Sequence, residues 1–155
     1  MKTLFLTTAL VVAFVISAPT SFAQGAAKTG PDPSLVRDAE LEKDSLHNLE
    51  VARHYFKLKK AYVAAIKRCE EIDAGNPNFA KMDEVLFIAG ESSLRLAENK
   101  GKQKPKEKTP EQLRLDARVY LSRLVGGYPN SAFYKQAESD LQALGGPIKP
   151  EGSKQ

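Results

Sequence analysis

Two corners constrain this chain more than any other feature. "GNPNFAK" at residues 75–81 and "GYPNSAF" at residues 127–133 share a glycine, a Pro-Asn pair and an aromatic just beyond. Each follows a run whose apolar residues recur at spacings of three and four, the period of one helix face. Glycine tolerates the backbone turn that ends a helix, and a proline just beyond it cannot continue one. A small residue stands twelve positions before each proline, Ala65 before Pro77 and Ala117 before Pro129. The chain therefore reads as helix–corner–helix units with no credible strand, and its fold class as all-α.

About five helical segments follow from the periodicity. The first covers roughly residues 38–58 and places Leu46, Leu49, Ala52, Tyr55 and Phe56 on one face. The second, about 61–74, aligns Tyr62, Ala65, Ile66, Cys69 and Ile72. The third, about 82–99, buries Val85, Leu86, Ala89, Ser93, Leu94 and Ala97. Thr109-Pro110-Glu111-Gln112 then opens a fourth helix, with Thr109 as N-cap, Pro110 in the first turn and Gln112 as capping-box partner. Its core positions are Leu113, Ala117, Tyr120, Leu121 and Leu124. A fifth starts near Ser131 and uses Phe133, Ala137, Leu141 and Leu144. Short links make neighbours antiparallel.

These offsets are those of a helical-hairpin repeat of tetratricopeptide type, in which small residues let paired helices approach. The expected architecture is two such hairpins plus a C-terminal capping helix, a short right-handed solenoid over residues 38–144. Gly90 sits at the helix crossing of the second repeat, where the first has Arg53. The prolines lie fifty-two residues apart, beyond the ~34 of a standard repeat. The excess falls in the basic insertion at residues 100–109, within "NKGKQKPKEK".

The two ends read differently from the middle. "MKTLFLTTALVVAFVISAPTSFAQG" has a positive start, an apolar run from Leu4 to Ile16, and small residues at Ser21 and Ala23. That is a secretory signal over residues 1–23; a membrane anchor needs ~20 apolar residues, more than this run supplies. Residues 24–37 read as a flexible lead-in and 145–155 as a disordered tail, both rich in Gly and Pro. No Cys follows the cleavage site, so no direct lipid anchor is expected. Cys69 is the only cysteine, so the fold rests on packing without an internal disulfide. It reads as a buried small apolar residue, with an intermolecular bridge as the alternative. A formal charge of +4 is too mild to argue for nucleic acid.

The sequence contains no G-x-S-x-G, H-E-x-x-H, C-x-x-C, phosphate loop or G-x-G-x-x-G, so no catalytic residue and no cofactor is expected. His47 and His54 flank Glu50 on one helix, but seven residues of rise separate them by ~10 Å, too far for one ion. They read as a solvated polar face. Lys100, Lys102, Lys104, Lys106 and Lys108 form a mobile loop. It is read as a solvated insertion or as a contact for anionic lipid head groups or an acidic partner. Stacked helical repeats bind other chains on concave surfaces. The groove positions on the first helices are His47, Glu50, His54, Lys57, Phe87, Glu91, Leu94 and Arg95. Phe87 is the expected exposed aromatic anchor.

"NLEVARHYFKLKKAYVAAIKRCEEIDAGNPN" resembles the helical hairpin of the BamD-like outer-membrane assembly proteins. In that family a [V/A]-A-x-x-Y-[Y/F] helix precedes A-[Y/W]-x-A and a Pro-terminated second helix. Val51-Ala52-Arg53-His54-Tyr55-Phe56 and Ala61-Tyr62-Val63-Ala64 fit it. "DARVYLSRLVGGYPNSAFYKQAESDL" resembles another unit, so the likeness spans residues 45–144. It lacks the family's lipobox Cys and has two repeats where the family runs to about five. The resemblance implies a non-catalytic adaptor in outer-membrane protein assembly, binding envelope proteins or extended peptide segments. Its place would be the periplasm, peripheral at the outer membrane. The alternative is another periplasmic tetratricopeptide adaptor, one coordinating cell-wall synthesis.

Overall fold

The computed structural model describes residues 38–148 of the chain. The expected signal, the lead-in and the last part of the tail lie outside them. The described part is all-α, with no strand. Its helices are α1 (Ala39–Arg53), α2 (Tyr62–Gly75), α3 (Met82–Ala97), α4 (Pro110–Gly127) and α5 (Tyr134–Ala143). None of them is long and apolar enough to cross a membrane.

Local chemistry sets the helix starts. Asp38 caps α1 by accepting from the Glu40 and Leu41 amides at 2.8 and 3.3 Å. Thr109 and Gln112 form the expected capping box: Gln112 N–H donates to Thr109 Oγ1 at 3.3 Å, and Thr109 N–H to Gln112 Oε1 at 2.8 Å. Two amides that no helical turn can satisfy are thus paired.

Side-chain bonds then fix the topology. Asn76, just after α2, donates to Ser45 Oγ at 3.1 Å, and the Ala80 amide donates to the Glu42 carboxylate at 3.2 Å. The end of α2 therefore returns to the start of α1, which makes the pair an antiparallel hairpin. The second corner repeats the device: Ser131 Oγ donates to Asp83 Oδ2 at 2.7 Å, returning the end of α4 to the start of α3. Between hairpins, Tyr120 donates to Glu70 at 3.4 Å and Arg123 grips Asp73 at 2.6 and 2.7 Å. Both rungs join residues 50 apart in the same order, so α2 and α4 run parallel.

The central element is α3, packed between α2 and α4 and buried on nearly every side. Such a helix needs small residues where neighbours cross. A Cβ on Gly90 would stand 2.8 Å from Cγ and Cδ2 of Leu121. Where the first hairpin has Arg53 instead, the side chain turns to Glu84 of α3, Nε to Oε1 at 2.6 Å, with a second bond alongside.

The structure departs from the sequence reading at several elements of the fold. The first helix widens after Arg53 into a π-helical stretch, His54–Lys59, which closes at Lys60 with φ of 51°. Leu46 is 38% exposed, because Leu49 and Ala52 already fill the face toward α2. Phe79 and Ile88, not counted in the core, are buried in it, and Leu94 is only half-buried. The basic loop is tethered: Lys102 N–H donates to Lys60 O at 3.2 Å, Gln103 Oε1 accepts from the Ala64 amide at 3.3 Å, and Lys108 pairs with Asp116 at 2.7 Å. Gly101 lies so close to Tyr62 that a Cβ would meet its ring at 2.8 Å. Finally, residues 145–148 fold back on α4, with Ile148 N–H donating to Ser122 Oγ at 2.9 Å and Arg118 to Gly146 O at 3.0 Å.

Cys69 is 1% exposed, and burial, reinforced by the charges of Glu70, Glu84 and Asp73, pushes its thiol up to about 12. An ordinary thiol sits near 8.5–9, so the native thiolate population falls by roughly 10³-fold. Native protein at pH 8 is expected to label with a thiol reagent slower than denatured protein by roughly that factor. Equal rates would mean that Cys69 is accessible.

Candidate functional site

Four of the eight groove residues form one exposed stripe. His47, Glu50, His54 and Lys57 follow each other at helical spacing along α1 and its π-helical continuation, all open to solvent. Leu58, next to Lys57, is 71% exposed, the most exposed large apolar side chain among the described residues. Sequence reasoning missed it, because a lone leucine in "FKLKKAY" gives no signal of the side toward which it points. The π-helical widening carries the chain past the point where Phe56 turns inward and Leu58 turns out.

The other four lie on α3 in different surroundings. Phe87 is half-buried and stacks on Phe133, ring centroids 4.6 Å apart with an interplanar angle of 19°. It fastens the second corner to α3 and is no free anchor. Phe87→Ala is expected to lower stability by about 2 kcal/mol, less than the loss for a fully buried Phe. A parental melting temperature would overturn that placement.

Glu91, expected on the groove, is 7% exposed. It accepts from Arg95 Nη2 at 2.8 Å and from Nε at 3.1 Å. Arg95 continues inward: its guanidinium carbon lies 4.8 Å from the Phe56 ring centre and 5.7 Å from that of Tyr62. Arg95 thus clamps the π-helical stretch to α3, gaining cation–π attraction in a half-buried setting. Leu94 is half-buried beside it. No hydrogen bond or ion pair among the described residues joins this group to the α1 stripe, so the eight positions divide into an open face and a packed seam.

Burial pushes the Glu91 carboxyl above the usual carboxylate range; Arg95 opposes the shift, and the neighbouring Asp140 carboxyl of α5 adds to it. A carboxyl that holds its proton more tightly when folded costs no stability below its unfolded pKa. It lowers stability as pH rises from that value through the raised one. Glu91→Gln keeps the hydrogen-bonding shape without the charge. Melting curves from pH 4 to 7 should therefore show the variant gaining on the parent as pH rises. A constant difference would remove Glu91 from the titration.

Among the described residues no three His, Cys, Asp or Glu side chains converge where a metal ion would sit. Comparison with family models, curated proteins and solved structures finds no match for this chain.

Proposed function

We propose that this chain is a non-catalytic, BamD-like protein-binding adaptor of the bacterial cell envelope, exported to the periplasm and peripheral at the outer membrane. Its role on this reading is in outer-membrane protein assembly, with extended peptide segments or envelope proteins as partners. The observation that carries the adaptor reading is the open face of α1: His47, Glu50, His54 and Lys57 beside exposed Leu58, on a helix whose opposite face is anchored to α2. Interfaces set apolar side chains within a polar rim, and Leu58 among these charged residues is compatible with that arrangement. The sequence resemblance supplies the envelope context.

The shortness of the array, two hairpins and α5 among the described residues, favours a second reading, a periplasmic adaptor coordinating cell-wall synthesis. A photo-crosslinker placed at Leu58 in intact cells separates them. Capture of barrel-assembly subunits or unfolded outer-membrane proteins supports the first, and capture of wall synthases or Tol-system proteins moves the assignment to the second. If position 58 captures no more than exposed Leu115 on α4, neither adaptor reading on this face stands.

A further inference from the structure

A cavity of about 400 Å³ lies under the basic loop, away from the α1 face. Its floor is aliphatic: Val63 and Ile66 from α2, Leu96 from α3, Leu113 from α4, and Pro105 from the loop. Lys67, Lys104 and Lys106 stand at its margin. All three are exposed, and none forms an ion pair among the described residues. The fourth lysine there, Lys108, is already neutralised by Asp116 at 2.7 Å. Two carboxylates also line it, Glu107 on the loop and Glu70, which accepts from the Tyr120 hydroxyl at 3.4 Å, so the three unpaired lysines outnumber them by one. Lys104 and Lys106 flank Pro105 in the loop, and all three line the cavity.

The tethers give this cavity a fixed wall. Gln103 holds the loop to the Ala64 amide at 3.3 Å, Lys102 to the Lys60 carbonyl at 3.2 Å, and Gly101 rests on the Tyr62 ring. At the far end the Lys108–Asp116 pair returns the loop to α4. Residues 104–107 are left to bridge the opening. The size falls within the range of small-ligand pockets, which combine an apolar body with a few convergent polar groups.

We propose that this cavity binds a single-chain anionic amphiphile, a long-chain fatty acid, with its alkyl chain on the Val63–Ile66–Leu96–Leu113 floor and its carboxylate at Lys67, Lys104 and Lys106. The lining selects that class. The three lysines are donors only, so they recognise an anion and offer nothing to N–H groups. A peptide would bring amides along its whole length that need acceptors, whereas the acceptors here, Glu70 and Glu107, stand beside the aliphatic floor and Gln103 already accepts from the Ala64 amide. A nucleotide would need an aromatic surface for stacking, and the lining contains none. An alkyl chain asks only for removal from water, which the aliphatic floor supplies.

The test is titration of the purified mature chain with saturated fatty acids of ten to sixteen carbons, below their micelle concentrations, followed by calorimetry. Affinity should rise with length, by up to roughly fourfold per methylene while the chain remains inside. The alcohol of matching length should bind about tenfold more weakly, as expected for loss of a charge-assisted contact. Lys104→Glu with Lys106→Glu, both on the exposed loop, should weaken fatty-acid binding at least tenfold with an unchanged melting temperature. Val63→Trp, which fills the cavity, should abolish binding. If that variant fails to fold, the charge-reversal pair decides alone. Absence of saturable binding overturns the proposal. So does acetate binding as tightly as the longest acid, which would leave an anion site without an acyl pocket. Binding to anionic phospholipid vesicles but not to free fatty acid would also overturn it, reducing the loop to a surface contact.

Discussion

Leu121→Asp is expected to leave no cooperatively folded domain at 25 °C. Leu121 is fully buried on α4, with its side chain against Gly90 of α3. The substitution removes the apolar contact of a central interface and strands a carboxylate with no partner there. An unpaired buried charge costs several kcal/mol, and the whole stability of a domain this size is about 5–15 kcal/mol. Circular dichroism should show a broad or absent thermal transition. Leu115→Asp on the same helix is the control: Leu115 is 53% exposed, so that change should stay within about 0.5 kcal/mol of the parent. A Leu121→Asp variant that melts like the parent would mean that α4 does not pack on α3 by this face.

Much of this architecture was legible because it is written in periodicity and punctuation. The apolar spacing placed α2, α3 and α4 within a residue or two, and Thr109–Gln112 announced the start of α4. The two corners were recognisable as alike, and each docks on a carboxylate at the head of its own hairpin, Glu42 or Asp83. What stayed hidden depends on distance in space. The π-helical stretch at His54–Lys59 has no signature in "HYFKLK", and its closure at Lys60 uses a left-handed backbone that glycine normally supplies. Phe87 read as exposed because its stacking partner, Phe133, lies forty-six positions away across a corner. The basic loop read as mobile because its composition excludes a helix, yet the Lys102 amide holds it to Lys60, Gln103 to α2 and Lys108 to α4. Of the groove positions, the α1 set is open and the α3 set packed, a division that follows from α3 being flanked on both sides.

Gly90→Leu is the second large effect expected, and its sign is decided by two opposed magnitudes. Replacing a helical glycine gains up to about 1 kcal/mol in helix propensity. Against it stands the crossing itself: the Cβ alone would lie 2.8 Å from Leu121 Cγ and Cδ2, closer than carbon atoms approach. Forcing a leucine into that gap separates α3 from α4 and costs about 3 kcal/mol by overpacking. The net result should be a loss near 2 kcal/mol or more, read as a lowered urea midpoint. Leu121→Ala alone should also cost about 3 kcal/mol, through the cavity it leaves. Combined, the two changes exchange volume across one contact, since the new side chain at position 90 enters the space vacated at 121. The double variant should therefore be no less stable than Leu121→Ala alone, giving a favourable coupling of about 2–3 kcal/mol. Strict additivity would place the two residues out of contact. It would also remove the reason a glycine stands at the centre of the most buried helix.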